Sequence, residues 1–170
     1  MFSVSRGARF ALAVAAAIAM AACSKNPNDD AAGGAGGRLG AGANSTSPGT
    51  PGDFATNVGD RVFFESDSTE LSGQAQATLD KQARWLQQYS RYTFTVEGHA
   101  DERGTREYNF ALGSRRADVT KNYLAAKGVS ASRMKTISYG KERPVAVCND
   151  ISCWSQNRRA VTVLGGGATS

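Results

Sequence analysis

The stretch from Ala31 to Gly52 (AAGGAGGRLGAGANSTSPGTPG) sets the frame for everything else in the chain. It holds 8 Gly, 5 Ala, 4 Ser or Thr and 2 Pro among 22 positions, and Leu39 is its only large apolar side chain. Such a segment buries too little surface to offset the entropy of ordering it. The fold must therefore come from the 118 residues that follow, Asp53 to Ser170, which suffice for one compact domain and not for separate cofactor and substrate lobes. The glycine excess, 19 in 170, gathers in this stretch instead of recurring every third residue, which excludes a collagen-like chain. Read as a Gly-rich coil, the tether Ser24 to Gly52 spans ~30 Å root-mean-square.

Ahead of the tether, Arg6 and Arg9 form a positive segment before the uncharged run Phe10 to Met20 (FALAVAAAIAM). Eleven apolar residues suit a secretory signal and fall short of the ~20 that span a bilayer. The run ends Met20-Ala21-Ala22-Cys23, which resembles the bacterial lipobox. That resemblance implies removal of residues 1–22 and a mature chain beginning at a lipidated Cys23, S-diacylglycerol on the thiol and N-palmitoyl on the amine. Acyl chains at ~0.8 kcal/mol per buried CH2 would hold the protein on a membrane surface. Ser24 rather than Asp at the next position implies the outer membrane, with the domain facing the periplasm. Once Arg6 and Arg9 are removed, 18 basic residues face 15 acidic ones. A net charge of +3 with interleaved acids and no aromatic stacking series argues against a nucleic-acid partner.

From Asp53 the pattern turns globular, and the domain is assigned to residues 53–170, after a lipidated N-terminus and linker at 23–52. Arg61 to Phe64 is β-prone. Ser72 can cap a helix carrying Ala75, Leu79, Ala83 and Leu86 on one face. Tyr92 to Glu97 alternates as a strand does. Thr105 can cap a second helix, with Tyr108, Leu112, Val119 and Tyr123 as its apolar stripe, widened by Ala117 and Leu124 and stopped by Gly128. Met134 to Tyr139 and Ala160 to Leu164 complete four strands. Strands alternating with helices predict a small α/β sandwich of the α+β kind, one sheet with helices packed on one face.

Charge is densest from Glu97 to Asn109 (EGHADERGTREYN), where a strand ends and a helix begins, a common place for ligands in open sheets. Asp101 lies in the loop and Arg116 about three turns into the helix. Brought together they could form a zwitterion receptor, the carboxylate taking an ammonium and the guanidinium a carboxylate. They could equally form an internal salt bridge holding loop to helix. In the receptor reading the pair lies at the surface, so Ala variants of either residue are expected to melt near wild type. His99, the single histidine, invites a dyad with Asp101, yet no nucleophile setting accompanies it and one His builds no common zinc site. It is read as structural. No metal, cofactor or catalytic residue is expected.

The segment EGHADERGTREYNFALGSRRADVTKNYLAAKGV, the stretch Ile137 to Pro144 and the run Trp154 to Val161 closely resemble the OmpA-like peptidoglycan-binding domains, over roughly residues 54–165. The resemblance implies a four-stranded mixed sheet. It implies that Asp101 and Arg116 hold the diaminopimelate of the peptidoglycan stem peptide, assisted by Asp67, Arg103, Asn109 and Leu112. Ala100 and Ser66 depart from residues common in the family, Thr and Phe, which bears on the alignment of Asp67. Asn157 and Arg158 match a family motif and are read as supports for the sheet edge. With the lipobox, the resemblance extends to the lipoprotein branch, implying a non-enzymatic tether between outer membrane and wall, partnered by Tol system proteins, chiefly the periplasmic TolB, and serving envelope integrity and outer-membrane constriction at division. The alternatives are a peptidoglycan-modifying enzyme, for which no activated nucleophile is visible, or a purely structural lipoprotein.

Cys148 and Cys153 flank four residues. In an exported chain such a pair is expected to form a disulfide; a metal pair is the alternative and lacks further ligands.

Overall fold

The computed structural model describes residues 46–165. The signal segment, Cys23 and most of the linker assigned to 23–52 lie outside them. In chain order the elements are α1 (Pro51–Asp53), a wider helical turn (Phe54–Gly59), β1 (Arg61–Phe63), α2 (Gly73–Gln88), β2 (Phe94–His99), α3 (Arg106–Ala126), a 3-10 turn (Ala131–Arg133), β3 (Met134–Gly140), α4 (Ile151–Asn157) and β4 (Arg159–Leu164). The sheet order is β1-β4-β2-β3. β4 runs antiparallel to both β1 and β2, whereas β3 runs parallel to β2, the direction that a helical crossover such as α3 permits. The sheet is therefore mixed, as expected.

α3 lies over β2, β3 and β4, and α2 lies beside it over β1. The pleat alternates accordingly: Val62, Phe94, Val96, Met134 and Ala160 are buried beneath the helices with Leu79, Ala83, Leu86, Ala117 and Leu124. Both N-caps act as read from sequence. The Ser72 hydroxyl accepts from the Ala75 N–H and the Thr105 hydroxyl from the Tyr108 N–H, each satisfying one otherwise open donor of its first turn. Gly128, at φ 92°, takes the left-handed position after α3 that a side chain would strain. Gly98 of β2 lies directly under Gly113 of α3, and a methyl group on Gly98 would overlap the Gly113 carbonyl oxygen. This close approach fixes the height of α3 above the strand that leads to the site.

One expectation is corrected. The apolar stripe of α3 is displaced: Tyr108 is 46% exposed, and the face against the sheet is built from Asn109, Leu112, Gly113, Arg116, Ala117, Thr120 and Leu124. Three of those seven are polar, so hydropathy alone points to a neighbouring face. Residues just ahead of Asp53 also pack against the domain. The Gly49 carbonyl accepts from the Tyr92 hydroxyl at 2.9 Å and from Arg91 at 2.6 Å. Its N–H donates to Asp53, whose carboxylate also takes Trp85 Nε1 and the Asn57 amide. Those bonds hold the Asp53 carboxyl below its ordinary range. Pro51 then opens α1 under a Thr50 cap, Pro being suited to a first helical position. The Gly-rich composition conceals this because the order comes from partners 32 to 43 residues away.

Candidate functional site

The loop after β2 carries Asp101 past the carboxyl end of the strand. Its side chain is buried between two arginines. Arg103 grips it in two places, Nη2 to Oδ2 at 2.7 Å and Nε to Oδ1 at 3.3 Å, and the Arg103 backbone N–H adds a third bond. Arg158, itself buried, donates from Nη1 to Oδ2 at 3.2 Å and from Nε to the Phe64 carbonyl at 3.0 Å. Burial works against the carboxylate's charge, but these hydrogen bonds outweigh it and hold Asp101 below its ordinary value of 3.8. Asp101 is thus an anion at any physiological pH.

Arg116 stands differently from both sequence readings. It is 0% exposed, and its guanidinium donates to three backbone carbonyls: His99 at 2.8 Å, Ser68 at 3.0 Å and Glu65 at 3.1 Å. It makes no direct bond to Asp101, so the internal salt bridge is not the arrangement found; the carboxylate's partners are Arg103 and Arg158. Burial lowers the Arg116 pKa to about 10, as does the neighbouring Arg158, while Asp101 and Asp67 favour its charge. It remains a cation. Arg116 ties the end of β2 to the loop after β1, with two of its five N–H donors outside those three bonds.

The remaining residues of the predicted site divide into rim and floor. Arg103, 43% exposed, also donates to the Ser66 hydroxyl at 2.7 Å and lies 4.5 Å above the Trp154 ring. Asp67 is close by, accepting from the Tyr108 hydroxyl at 3.4 Å. It is the single non-glycine residue at positive φ, 53°, among the described residues, a conformation Asp tolerates better than most. Asn109 and Leu112 lie beneath the rim. Both are buried, and the Asn109 amide is used internally, donating to the Arg103 carbonyl at 2.6 Å. That bond holds the loop over the first turn of α3.

Sequence reasoning missed the role of Arg158 and the part of Trp154 and Glu102. Trp154 Nε1 donates to Glu102 at 2.5 Å, and Asn157 donates to the same carboxylate at 3.5 Å. α4, itself missed, thereby closes one side of the site. Periodicity gives little signal for a helix of seven residues, and the only sequence pointer to Arg158 is its place in the Asn157-Arg158-Arg159 run.

Cys148 and Cys153 lie 5.7 Å apart between Cα atoms, with sulfurs at 2.00 Å, closing the loop that leads into α4. For a ring this small the chain-entropy model gives about 2 kcal/mol. Replacing both with Ser should lower the free energy of unfolding, measured in urea, by about that amount without abolishing the fold; two titratable thiols in native oxidised protein would contradict the bond.

His99 is buried at the end of β2, stacked on Tyr139 at 5.6 Å. Neither ring nitrogen has a hydrogen-bond partner among the described residues; Glu97, at 3.7 Å, is beyond hydrogen-bond range. Desolvation, with Arg159 and Arg143 nearby, lowers its pKa from 6.5 to about 4. The folded state therefore resists a proton that the unfolded chain accepts. Stability should fall as pH drops from about 6.5 towards 4, by up to ~3 kcal/mol. Chemical denaturation at pH 7 and pH 4.5 tests this: His99→Phe should lose less stability over that interval than wild type, and an equal loss would contradict it.

The two ends of the domain are separated. Gly49 is fastened to Arg91 and Tyr92, immediately before β2, and Asp101 follows its end. Six strand residues put ~20 Å between them, so the chain enters at the pole opposite the Asp101 site.

Comparison with known proteins agrees with this architecture. The OmpA family model matches residues 63–158. The peptidoglycan-associated lipoprotein of Rhizobium meliloti is 61% identical over 159 residues, covering 94% of this chain and 88% of that protein. The peptidoglycan-associated lipoprotein of Pseudomonas aeruginosa is 45% identical, covering 88% and 91%. Among solved structures, the peptidoglycan-associated lipoprotein of Burkholderia pseudomallei superposes with a TM-score of 0.63 at 38% identity, over 70% of this chain and 97% of that one. The C-terminal domain of Helicobacter pylori MotB shares the fold at 22% identity and a TM-score of 0.60, over 64% of this chain and 86% of that one. On the mixed four-stranded sheet, the matched family model and these relatives, the chain belongs to the OmpA family and, within it, to the peptidoglycan-associated lipoproteins.

Proposed function

We propose that the chain is a non-enzymatic tether that binds the diaminopimelate-containing stem peptide of peptidoglycan and links the outer membrane to the wall. The observation that carries this reading is the state of Asp101: a buried, ionised carboxylate at a loop opening, with one of its two arginine partners, Arg103, exposed to solvent. Arg116 supplies positive charge beneath the same opening for a ligand carboxylate. Kinship with the peptidoglycan-associated lipoproteins supports the wall as target. It also supports the Tol system, chiefly TolB, as protein partner, and a part in envelope integrity and constriction at division. The entry of the chain at the opposite pole supports a domain whose site faces away from its anchor.

Cys23 is the proposed lipid attachment. Cys23→Ala should fractionate with soluble periplasmic material instead of washed membranes in cells where wall binding is also disabled; retention in the membrane would contradict the anchor. The binding reading is tested by co-sedimentation with purified sacculi, followed by assay of the supernatant. Binding without release of muropeptides is expected. Release would indicate an enzyme, and absence of binding would overturn the proposal.

A further inference from the structure

We infer that a groove beside the Asp101 site receives the glycan part of the same wall ligand, an inference that rests on the peptidoglycan reading above. The groove, of about 510 Å³, runs between the end of β1 and α4 and is of a size usual for ligand sites. It is continuous with the site. Arg158 lines it and bonds Asp101; Glu65 lines it and its carbonyl takes an N–H of Arg116.

Its walls are apolar and its rim accepts hydrogen bonds. Phe63 and Ile151, 48% and 62% exposed, face it from β1 and α4. The neighbours of Phe63 in sequence, Val62 and Phe64, are both buried in the core, so core packing is supplied without the Phe63 ring. Glu65, Glu70 and Gln156 line the groove. Arg158, its one cation, already serves Asp101 and the Phe64 carbonyl.

That charge balance selects the occupant. Two carboxylates with no unpaired cation disfavour the acidic groups of a stem peptide and favour a neutral ligand rich in donors. A pyranose ring presents electropositive C–H groups that suit the negative face of a phenyl ring. Its hydroxyl and acetamido N–H groups suit carboxylate and amide acceptors. Neutral N-acetylated sugars, joined to the peptide that Asp101 holds, meet both requirements in one connected ligand.

The test is calorimetric, on the purified protein, with two probes: a diaminopimelate-bearing tripeptide, and the same tripeptide attached to an N-acetylated disaccharide. Wild type should bind the second at least about fivefold more tightly. Phe63→Ala and Gln156→Ala, both checked for an unchanged melting temperature, should each reduce that preference while leaving tripeptide affinity unaltered. Equal affinity of wild type for the two probes leaves the groove to some other occupant, such as a protein partner, and overturns the inference; so does a preference that survives in both variants. Failure of the tripeptide itself to bind wild type would contradict the proposed function instead, a result distinguishable from tripeptide binding without a glycan gain.

Discussion

Asp101→Ala should weaken binding of a diaminopimelate-bearing muropeptide by at least about thirtyfold, the consequence of losing ~2 kcal/mol or more when one partner of a desolvated charge pair is truncated. The same substitution should also cost stability, because it leaves Arg158 buried beside no carboxylate. Breaking a buried pair from one side typically costs ~3–5 kcal/mol. Reduced binding by the Ala variant alone therefore does not separate site from scaffold. Asp101→Asn does. The amide keeps an acceptor for Arg158 and nearly the same volume, so the fold should be retained more fully, while the charge that an ammonium requires is gone. Binding measured on folded Asp101→Asn, with its stability measured in urea, distinguishes the two roles. Affinity within a few-fold of wild type would contradict the role given to Asp101.

Arg116→Ala should be strongly destabilising. Three carbonyls, of Glu65, Ser68 and His99, lose their donor at once, the Phe64 ring loses the guanidinium stacked 5.1 Å from it, and a cavity opens beneath the loop. A loss of at least about 3 kcal/mol is expected, from unsatisfied buried groups and cavity together. Arg116→Lys keeps the charge but carries a single ammonium that cannot reproduce the planar three-way bridge, so it should also be destabilised, by less. Urea midpoints measure both. This reverses the expectation drawn from sequence, in which Arg116 lies at the surface and its Ala variant melts near wild type. A near-wild-type midpoint for Arg116→Ala would restore that earlier view.

What the sequence discloses, and what it conceals, follows from how local each cause is. The N-caps Ser72 and Thr105 act within three residues, and the buried face of α2, with Ala75, Leu79, Ala83, Trp85 and Leu86, is apolar but for Gln82. Both are legible in the chain. The α3 face is not, since Asn109, Arg116 and Thr120 are buried in it. Their burial is made favourable by acceptors on other elements and by α3's own backbone: the Arg103 carbonyl, the His99 carbonyl and the Arg116 carbonyl. Charge density draws attention to Asp101 and Arg116, but only the family resemblance favours a ligand role for them over a salt bridge, and even that does not disclose that they face different partners. Arg158 reaches Asp101 across 57 positions, a separation no spacing rule connects. The packing of Gly49 is hidden for the same reason, its partners Arg91 and Tyr92 lying more than 40 residues on, between α2 and β2.

If Asp101 recognises the amino group and the Arg116 region the carboxylate of one zwitterionic end, affinity depends on both groups of the third stem-peptide residue. The direct measurement is calorimetric titration of the wild-type domain with two stem peptides that differ only at the third residue, diaminopimelate in one and lysine in the other. Both carry a side-chain ammonium, but only diaminopimelate carries a carboxylate beside it. The lysine peptide should bind at least about tenfold more weakly, and Asp101→Asn, shown to be folded, should bind neither peptide well. Equal binding of the two peptides, or wild-type affinity of folded Asp101→Asn, would contradict that recognition.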